Sequence, residues 1–245
     1  MLKKRIILSL SFYEGVLHRT KIFKPDYRYT TNFVDLWLAD EIVLLDVSNV
    51  KLKESFINIL KHFSKNCFVP ITVGGGISSI EDAKFLFTNG ADKIILNTIS
   101  NSNPQIIRCI SDEYGSQSII HSVDCRRNAD NYEVYINNGK NKSYLNLEQW
   151  INQAVKYGAG ELLINNIDRD GSLIGFDIKL INLVKNMASV PIIALGGAGQ
   201  WQHFEELFRE TDISGGCTQN IYHFTNKSLF SLKSYLTEKK INIRL

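Results

Sequence analysis

The sequence predicts a (β/α)8 TIM barrel on three observations. Its 245 residues are a typical size for that fold. Eight short apolar runs recur at intervals of roughly 25 to 35 residues with helical patterns between them, the mark of repeated β-α units. A glycine-rich turn appears twice, half a chain apart, each time after an apolar run and before a helical pattern.

Taken in order, the predicted strands are 5–11, 41–47, 68–73, 92–97, 118–124, 161–167, 190–195 and 212–217, mostly unbroken apolar runs as expected of strands covered on both faces. The first follows Lys3-Lys4-Arg5, yet its apolar run is short and Glu14 follows with no small-residue cleavage site, so it reads as a buried strand and not an export signal. The connection 12–40 is polar and aromatic, passes through Lys21-Ile22-Phe23-Lys24-Pro25 and leaves room only for a short helix near 32–38. It reads as a mobile active-site loop. The second run ends in Asp46. The third leads into Val73-Gly74-Gly75-Gly76, with Ser78-x-x-Glu81 as a capping box and Gly90 as a helix stop. Asn97-Thr98 ends the fourth, and Asn103-Pro104 reads as N-cap and first-turn proline. Asp124 closes the fifth, and the sixth runs into Asn165-Asn166-Ile167-Asp168-Arg169-Asp170-Gly171-Ser172. Asp177 caps Ile178–Met187, and Leu195-Gly196-Gly197-Ala198 ends the seventh. The same half-chain offset pairs 6–11 with 119–124, and Glu41 with Glu161. Residues 1–245 therefore read as a single barrel domain with a half-barrel repeat.

Composition narrows the partners. With 44% hydrophobic and 22% charged residues the chain can bury a large core, and a balance of 28 − 25 = +3 is too small to make nucleic acid or a membrane surface the expected partner. No run approaches the length of a transmembrane helix. Cys67, Cys109, Cys125 and Cys217 show no ligand or redox spacing, so no metal and no cofactor are expected; they read as reduced thiols of a cytoplasmic protein.

In such a barrel the C-terminal strand ends build the site. Gly75 and Gly76 on one side, and Gly197 and Ala198 on the other, can point N–H groups at an anion near a helix start, so the pair suggests a phosphorylated small molecule with two phosphates; the same glycines also suit plain tight turns. Asn97 and Thr98 add donors. Asp170 stands in a polar run denser than a connector needs. Asp124 is a candidate general acid or base, against the alternative of an ion pair with Arg126 or Arg127, and Asp46 is placed similarly. Opposite Asp124 the repeat places Ser11, whose hydroxyl has almost no basicity near neutral pH. Arg5, Glu41, Lys93 and Glu161 fall at the N-terminal strand ends, where two cations and two carboxylates form either a structural or a functional ring.

These residues, with Thr72-Val73-Gly74-Gly75-Gly76-Ile77, Gly90-Ala91-Asp92-Lys93, Tyr114-Gly115-Ser116-Gln117, Glu133-Val134-Tyr135, Gly158-Ala159-Gly160-Glu161, Asp168-Arg169-Asp170-Gly171, Gly196-Gly197-Ala198-Gly199 and His223-Phe224, resemble the HisF family over essentially the whole chain. HisF is the cyclase subunit of imidazole glycerol phosphate synthase, a (β/α)8 barrel. It takes ammonia from a glutaminase docked at the barrel bottom and uses it to cleave and cyclise a ribulose-bearing bis-phosphate nucleotide. The resemblance implies an ammonia gate of Arg5, Glu41, Lys93 and Glu161, a HisH-like glutaminase partner met at Asp92, and phosphate binding by Gly75, Gly76, Asn97, Thr98, Asp170, Gly171, Gly197, Ala198 and Asn220. Of the family's two catalytic aspartates one matches Asp124 and the other falls on Ser11. Arg19 replaces the loop lysine, and Gln219-Asn220 replaces the small-residue loop after the eighth strand.

These departures resemble HisF paralogues found with surface-polysaccharide genes, which also lack the first aspartate. Their first loop is similar to Ile22-Phe23-Lys24-Pro25-Asp26-Tyr27-Arg28-Tyr29. That likeness implies ammonia conduction for amidation of a sugar, with a sugar amidotransferase as a further partner. An authentic cyclase is the alternative, and a HisA-type isomerase a third.

Overall fold

The computed structural model describes residues 3–28, 38–49, 52–219 and 228–244. Eight parallel strands close on themselves: β1 (Arg5–Tyr13), β4 (Glu41–Asp46), β5 (Ile71–Gly74), β6 (Lys93–Leu96), β7 (Ile119–Asn128), β10 (Glu161–Asn166), β11 (Ile192–Leu195) and β12 (Gly215–Thr218), with β12 returning to pair with β1. The expected (β/α)8 barrel is therefore the fold, and each expected run coincides with a barrel strand. The third, seventh and eighth begin later than expected; in the first two Pro70 and Pro191 have no N–H for a ladder, and their carbonyls instead accept from Ile42 and Leu162.

Side-chain alternation along these strands divides the core. Outward residues such as Ile6, Leu8 and Leu10 pack under the helices, whereas Ile7, Val43, Ile95, Ile120, Leu163, Ile193 and Cys217 fill the barrel's own interior. The helices are α1 (Glu54–Asn66), α2 (Ile80–Thr88), the short α3 (Thr98–Ser102), α4 (Gln105–Tyr114), α5 (Leu147–Tyr157), α6 (Ile178–Met187), α7 (Trp201–Glu210) and α8 (Ser228–Glu238).

Local signals held with two shifts. The cap of α2 is Ser79 paired with Asp82, one residue beyond the expected Ser78 and Glu81, and Ser78 donates to the same Asp82 carboxylate from outside the helix. Pro104, not Asn103, occupies the N-cap of α4, without a side-chain cap. Asp177 caps α6 as expected, accepting from the Leu180 amide.

The first connection differs most. Instead of a loop, residues 12–28 continue β1 into an antiparallel hairpin, β2 (Val16–Lys21) and β3 (Lys24–Arg28), turned by Ile22 and Phe23 at φ of 51° and 61°. The short helix expected near 32–38 lies, apart from Leu38, outside the described residues. A second extension, β8 (Asn131–Ile136) and β9 (Asn141–Lys142), grows from β7. At the barrel bottom Lys4, one residue before Arg5, bridges to Ile243. Among the described residues no helix is long and apolar enough to cross a membrane.

Candidate active site

The C-terminal strand ends enclose a small cavity of about 120 Å³ lined by Ser11, Thr20, Phe23, Asn97, Ser122, Asp124, Asn165, Asp170 and Gln219, among others. Asp124 points inward because it sits two residues beyond Ser122 and four beyond Ile120 on β7. It makes no ion pair with Arg126, whose guanidinium turns to Asp168, or with Arg127, whose Nε donates to the Ala129 carbonyl. Its carboxylate accepts from the Ser122 hydroxyl at 2.7 Å and the Asn97 amide at 3.1 Å. Burial pushes its pKa up to about 7, with the Ser122 hydrogen bond opposing and the Asp170 charge adding to the rise. A carboxyl so placed can both give and take a proton near neutral pH.

Ser11 lies on the inward face of β1, 1% exposed. Gln219 Nε2 donates to its Oγ at 2.5 Å, and Gln219 Oε1 accepts from Thr20 at 2.8 Å. The single Thr20 hydroxyl proton is shared with the Asp170 carboxylate at 3.0 Å, which accepts from the Phe23 amide as well. Burial raises the Asp170 pKa, opposed by these two hydrogen bonds and by Arg19. Asp170 thus clasps the hairpin over the mouth. Asp46 is buried too, and it accepts from the amides of Ser48 and Leu52.

Gly75 and Gly197 adopt φ of 104° and 95°. A Cβ on Gly75 would come within 2.2 Å of the Asp46 carbonyl, and one on Gly197 within 2.1 Å of the Gly175 carbonyl, so close backbone approach requires glycine at both. Gly75, Gly76 and Thr98 border a second, polar cleft that includes Asn97, Asn137, Asn138 and Lys140. Gly171, Gly197 and Ala198 border a much smaller space next to Gln219. Asn220 lies outside the described residues, as does His223-Phe224.

At the opposite end the four expected charges meet. Arg5 donates to Glu41 at 3.0 Å and also to Glu161, and Lys93 reaches Glu41 at 3.1 Å and Glu161 at 3.4 Å. Cations and carboxylates alternate around one closed ring. Burial works against the Arg5 charge, and the two carboxylates outweigh it, so its pKa rises. Thr72 pins Glu41 with a 2.6 Å hydrogen bond. Asp92 stands beside this ring and accepts from the Ile71 amide, with the rest of the residue exposed.

Sequence reasoning missed Thr20, Thr72, Ser122 and Asn165 as members of the two ends. Inward alternation from Asp124 and Glu41 would have found Ser122 and, across the sheet, Thr72 and Asn165. Thr20 had no signal, because the hairpin that carries it was read as a loop. Among the described residues no cluster of His, Cys, Asp or Glu is placed to hold a metal ion.

Residues 10–226 match the family described as Histidine biosynthesis protein. The chain is 36% identical over 262 residues to the Imidazole glycerol phosphate synthase subunit HisF of Hydrogenobaculum sp. (strain Y04AAS1), covering all of both chains. It is 35% identical over 251 residues to the protein of that name from Natranaerobius thermophilus, and 34% over 252 to that of Streptococcus mutans serotype c, again at full coverage of both chains.

Proposed function

Because the chain belongs to the HisF family of histidine biosynthesis proteins, we propose that it is the synthase-side subunit of a glutamine amidotransferase complex, receiving ammonia from a HisH-like glutaminase and conducting it through the barrel. The observation that carries this is the closed ring of Arg5, Glu41, Lys93 and Glu161 at the barrel bottom. Its two positive and two negative charges sum to zero, so the ring as a whole presents no net charge to a neutral molecule of ammonia's size. Parting one ion pair lets it pass while the other three hold. Beyond the ring the interior is apolar, from Ile7 and Ile193 through Val43 and Cys217, before it becomes polar at Ser122, Asn165 and Asp124. Asp92 is the partner-facing carboxylate in this reading.

For the chemistry at the mouth, the relatives' names back the imidazole glycerol phosphate synthase cyclase better than the sugar amidation expected from the sequence. In that reading Asp124 moves the proton, Gly75, Gly76, Asn97 and Thr98 hold one phosphate, and Asp170, Gly171, Gly197, Ala198 and Asn220 surround the other. Ammonia enters as the nucleophile and Asp124, poised near neutrality, takes a proton from the developing ammonium centre or returns one to a leaving group.

One observation favours a second reading. Ser11, a group with no useful basicity, faces the cavity and is tied to Gln219, which leaves Asp124 without a carboxylate partner at that position. Ammonia would then leave the barrel for a third protein that amidates a sugar of a surface polysaccharide. Turnover of the bis-phosphate ribulose nucleotide by the purified chain, supplied with ammonium salt at alkaline pH, separates the two. Turnover that falls about 100-fold or more in Asp124→Asn supports the cyclase. No turnover beside an active HisF subunit supports delivery.

A further inference from the structure

The two glycine turns are matched in sequence and unequal in space. Beside Gly75 and Gly76 the cleft holds about 570 Å³ and carries Lys140 on its rim. Beside Gly196, Gly197 and Ala198 the space is about 10 Å³, room for one water on the same measure and far too little for a phosphate.

Gln219 borders that small space and is held at both ends of its amide, to Ser11 on β1 and to Thr20 on β2. Two of the loop's own polar atoms are also engaged. Gly175 donates to the Gly197 carbonyl at 2.8 Å, and the Gly199 amide, the one nearest the start of α7, donates to Nδ1 of His203 at 3.1 Å. Arg169, the cation in the run after β10, is engaged there too, its Nη1 donating to the carbonyls of Gly175 and Phe176. An anion entering here has to displace Gln219 from Ser11 and Thr20.

We propose that Gln219 is a specificity residue: by filling the Gly197 side of the mouth it confines a phosphorylated ligand to the Gly75 side, so that a ligand with one phosphate is preferred over a bis-phosphate. This deepens the reading that the mouth holds a phosphorylated molecule, and it weighs toward the second of the two chemistries. A bis-phosphate would bind only after breaking the Gln219 bridge, and shortening the side chain removes that requirement. The hydrogen bond to Ser11 and the shared one from Thr20 together correspond to about tenfold in affinity.

The test is titration of the full chain with inorganic phosphate, followed residue by residue through the backbone amide resonances of Gly75–Gly76 and Gly197–Gly199. In the wild type, phosphate is expected to move the first group and leave the second unmoved. Gln219→Ser is expected to bring the second group into the response, with affinity there raised about tenfold, while Gln219→Glu, which keeps the length and adds a negative charge, leaves it silent. The same spectra report whether each variant is folded. Movement of Gly197–Gly199 in the wild type as strong as that of Gly75–Gly76 overturns the proposal, as does a folded Gln219→Ser in which those amides stay unmoved. If Gly75–Gly76 stay silent throughout and Gly197–Gly199 respond only in Gln219→Ser, the phosphate reading of the first turn fails and the blocking role of Gln219 stands.

Discussion

Two buried titratable side chains on one strand pull stability in opposite directions with pH. Burial raises Asp124 from 3.8 to about 7, so between those values the folded state holds a proton that the unfolded state has released. Its contribution is full below about pH 4 and is lost as pH rises through 7. His121, three residues earlier, faces outward against Trp150 at 5.0 Å between ring centres, and neither ring nitrogen finds a hydrogen-bond partner among the described residues. Burial lowers it from 6.5 to about 3, so over that window the unfolded state binds the extra proton and stability is lost as pH falls. Each slope is about 1.4 kcal/mol per pH unit, and between pH 4 and 6.5 the two offset one another. Denaturant unfolding across that range is therefore expected to show Asp124→Asn losing stability as the solution is acidified and His121→Phe gaining it. A variant pair with the same pH slope as the wild type would show that neither group titrates as its burial dictates. Of these two residues the sequence pointed to Asp124 alone, since a carboxylate at the end of an apolar strand is conspicuous and a histidine inside one is not.

At the level of elements, the hairpin of β2 and β3 is the part that sequence could not supply. Its turn residues are Ile22 and Phe23, and neither is the glycine or asparagine that ordinarily marks a tight hairpin turn; Pro25 two residues later argues against a strand. What holds it is tertiary. Thr20 and the Phe23 amide bond to the Asp170 side chain, and the Ile22 amide reaches the Asp170 carbonyl at 3.3 Å. Asp170→Ala leaves the Phe23 amide and the Thr20 hydroxyl without that partner, at a cost of about 1–3 kcal/mol, and is expected to speed hydrogen exchange at Phe23 and along β3 while β10 stays protected. Uniform acceleration across the barrel would mean that Asp170 supports the whole fold. A contrasting junction is Asp177, which caps α6 and accepts from Tyr132 and Asn166 as well. Its capping role was readable because an N-cap is a local device, whereas the long-range bonds to β8 and β10 were not.

Across the whole molecule the half-chain repeat explains why one end was easier to read than the other. Glu41 and Glu161 occupy equivalent places in the two halves, whereas both cations, Arg5 and Lys93, come from the first half, at the starts of its first and fourth strands; the four alternating charges can only face one another once the barrel closes. At the mouth the repeat is broken: Asp124 stands opposite Ser11, and Gln219 fills one glycine turn while the other is open. Such asymmetry depends on side-chain reach, which strand spacing does not encode. The ring also bears on stability. Removing one member of a buried charged set leaves its neighbours uncompensated, so Glu41→Ala is expected to lower unfolding free energy by about 3–5 kcal/mol. Lys93, whose head is nearer the surface than Glu41, offers the gentler probe of passage. The most direct measurement is therefore made on the complex with a HisH-type glutaminase, comparing product formed from glutamine with product formed from added ammonium for the wild type and for Lys93→Ala. The account predicts that Lys93→Ala impairs the glutamine-driven reaction severalfold and spares the ammonium-driven one, with ammonia appearing in solution; equal effects on both reactions, or none on either, would contradict a conducting role for the ring.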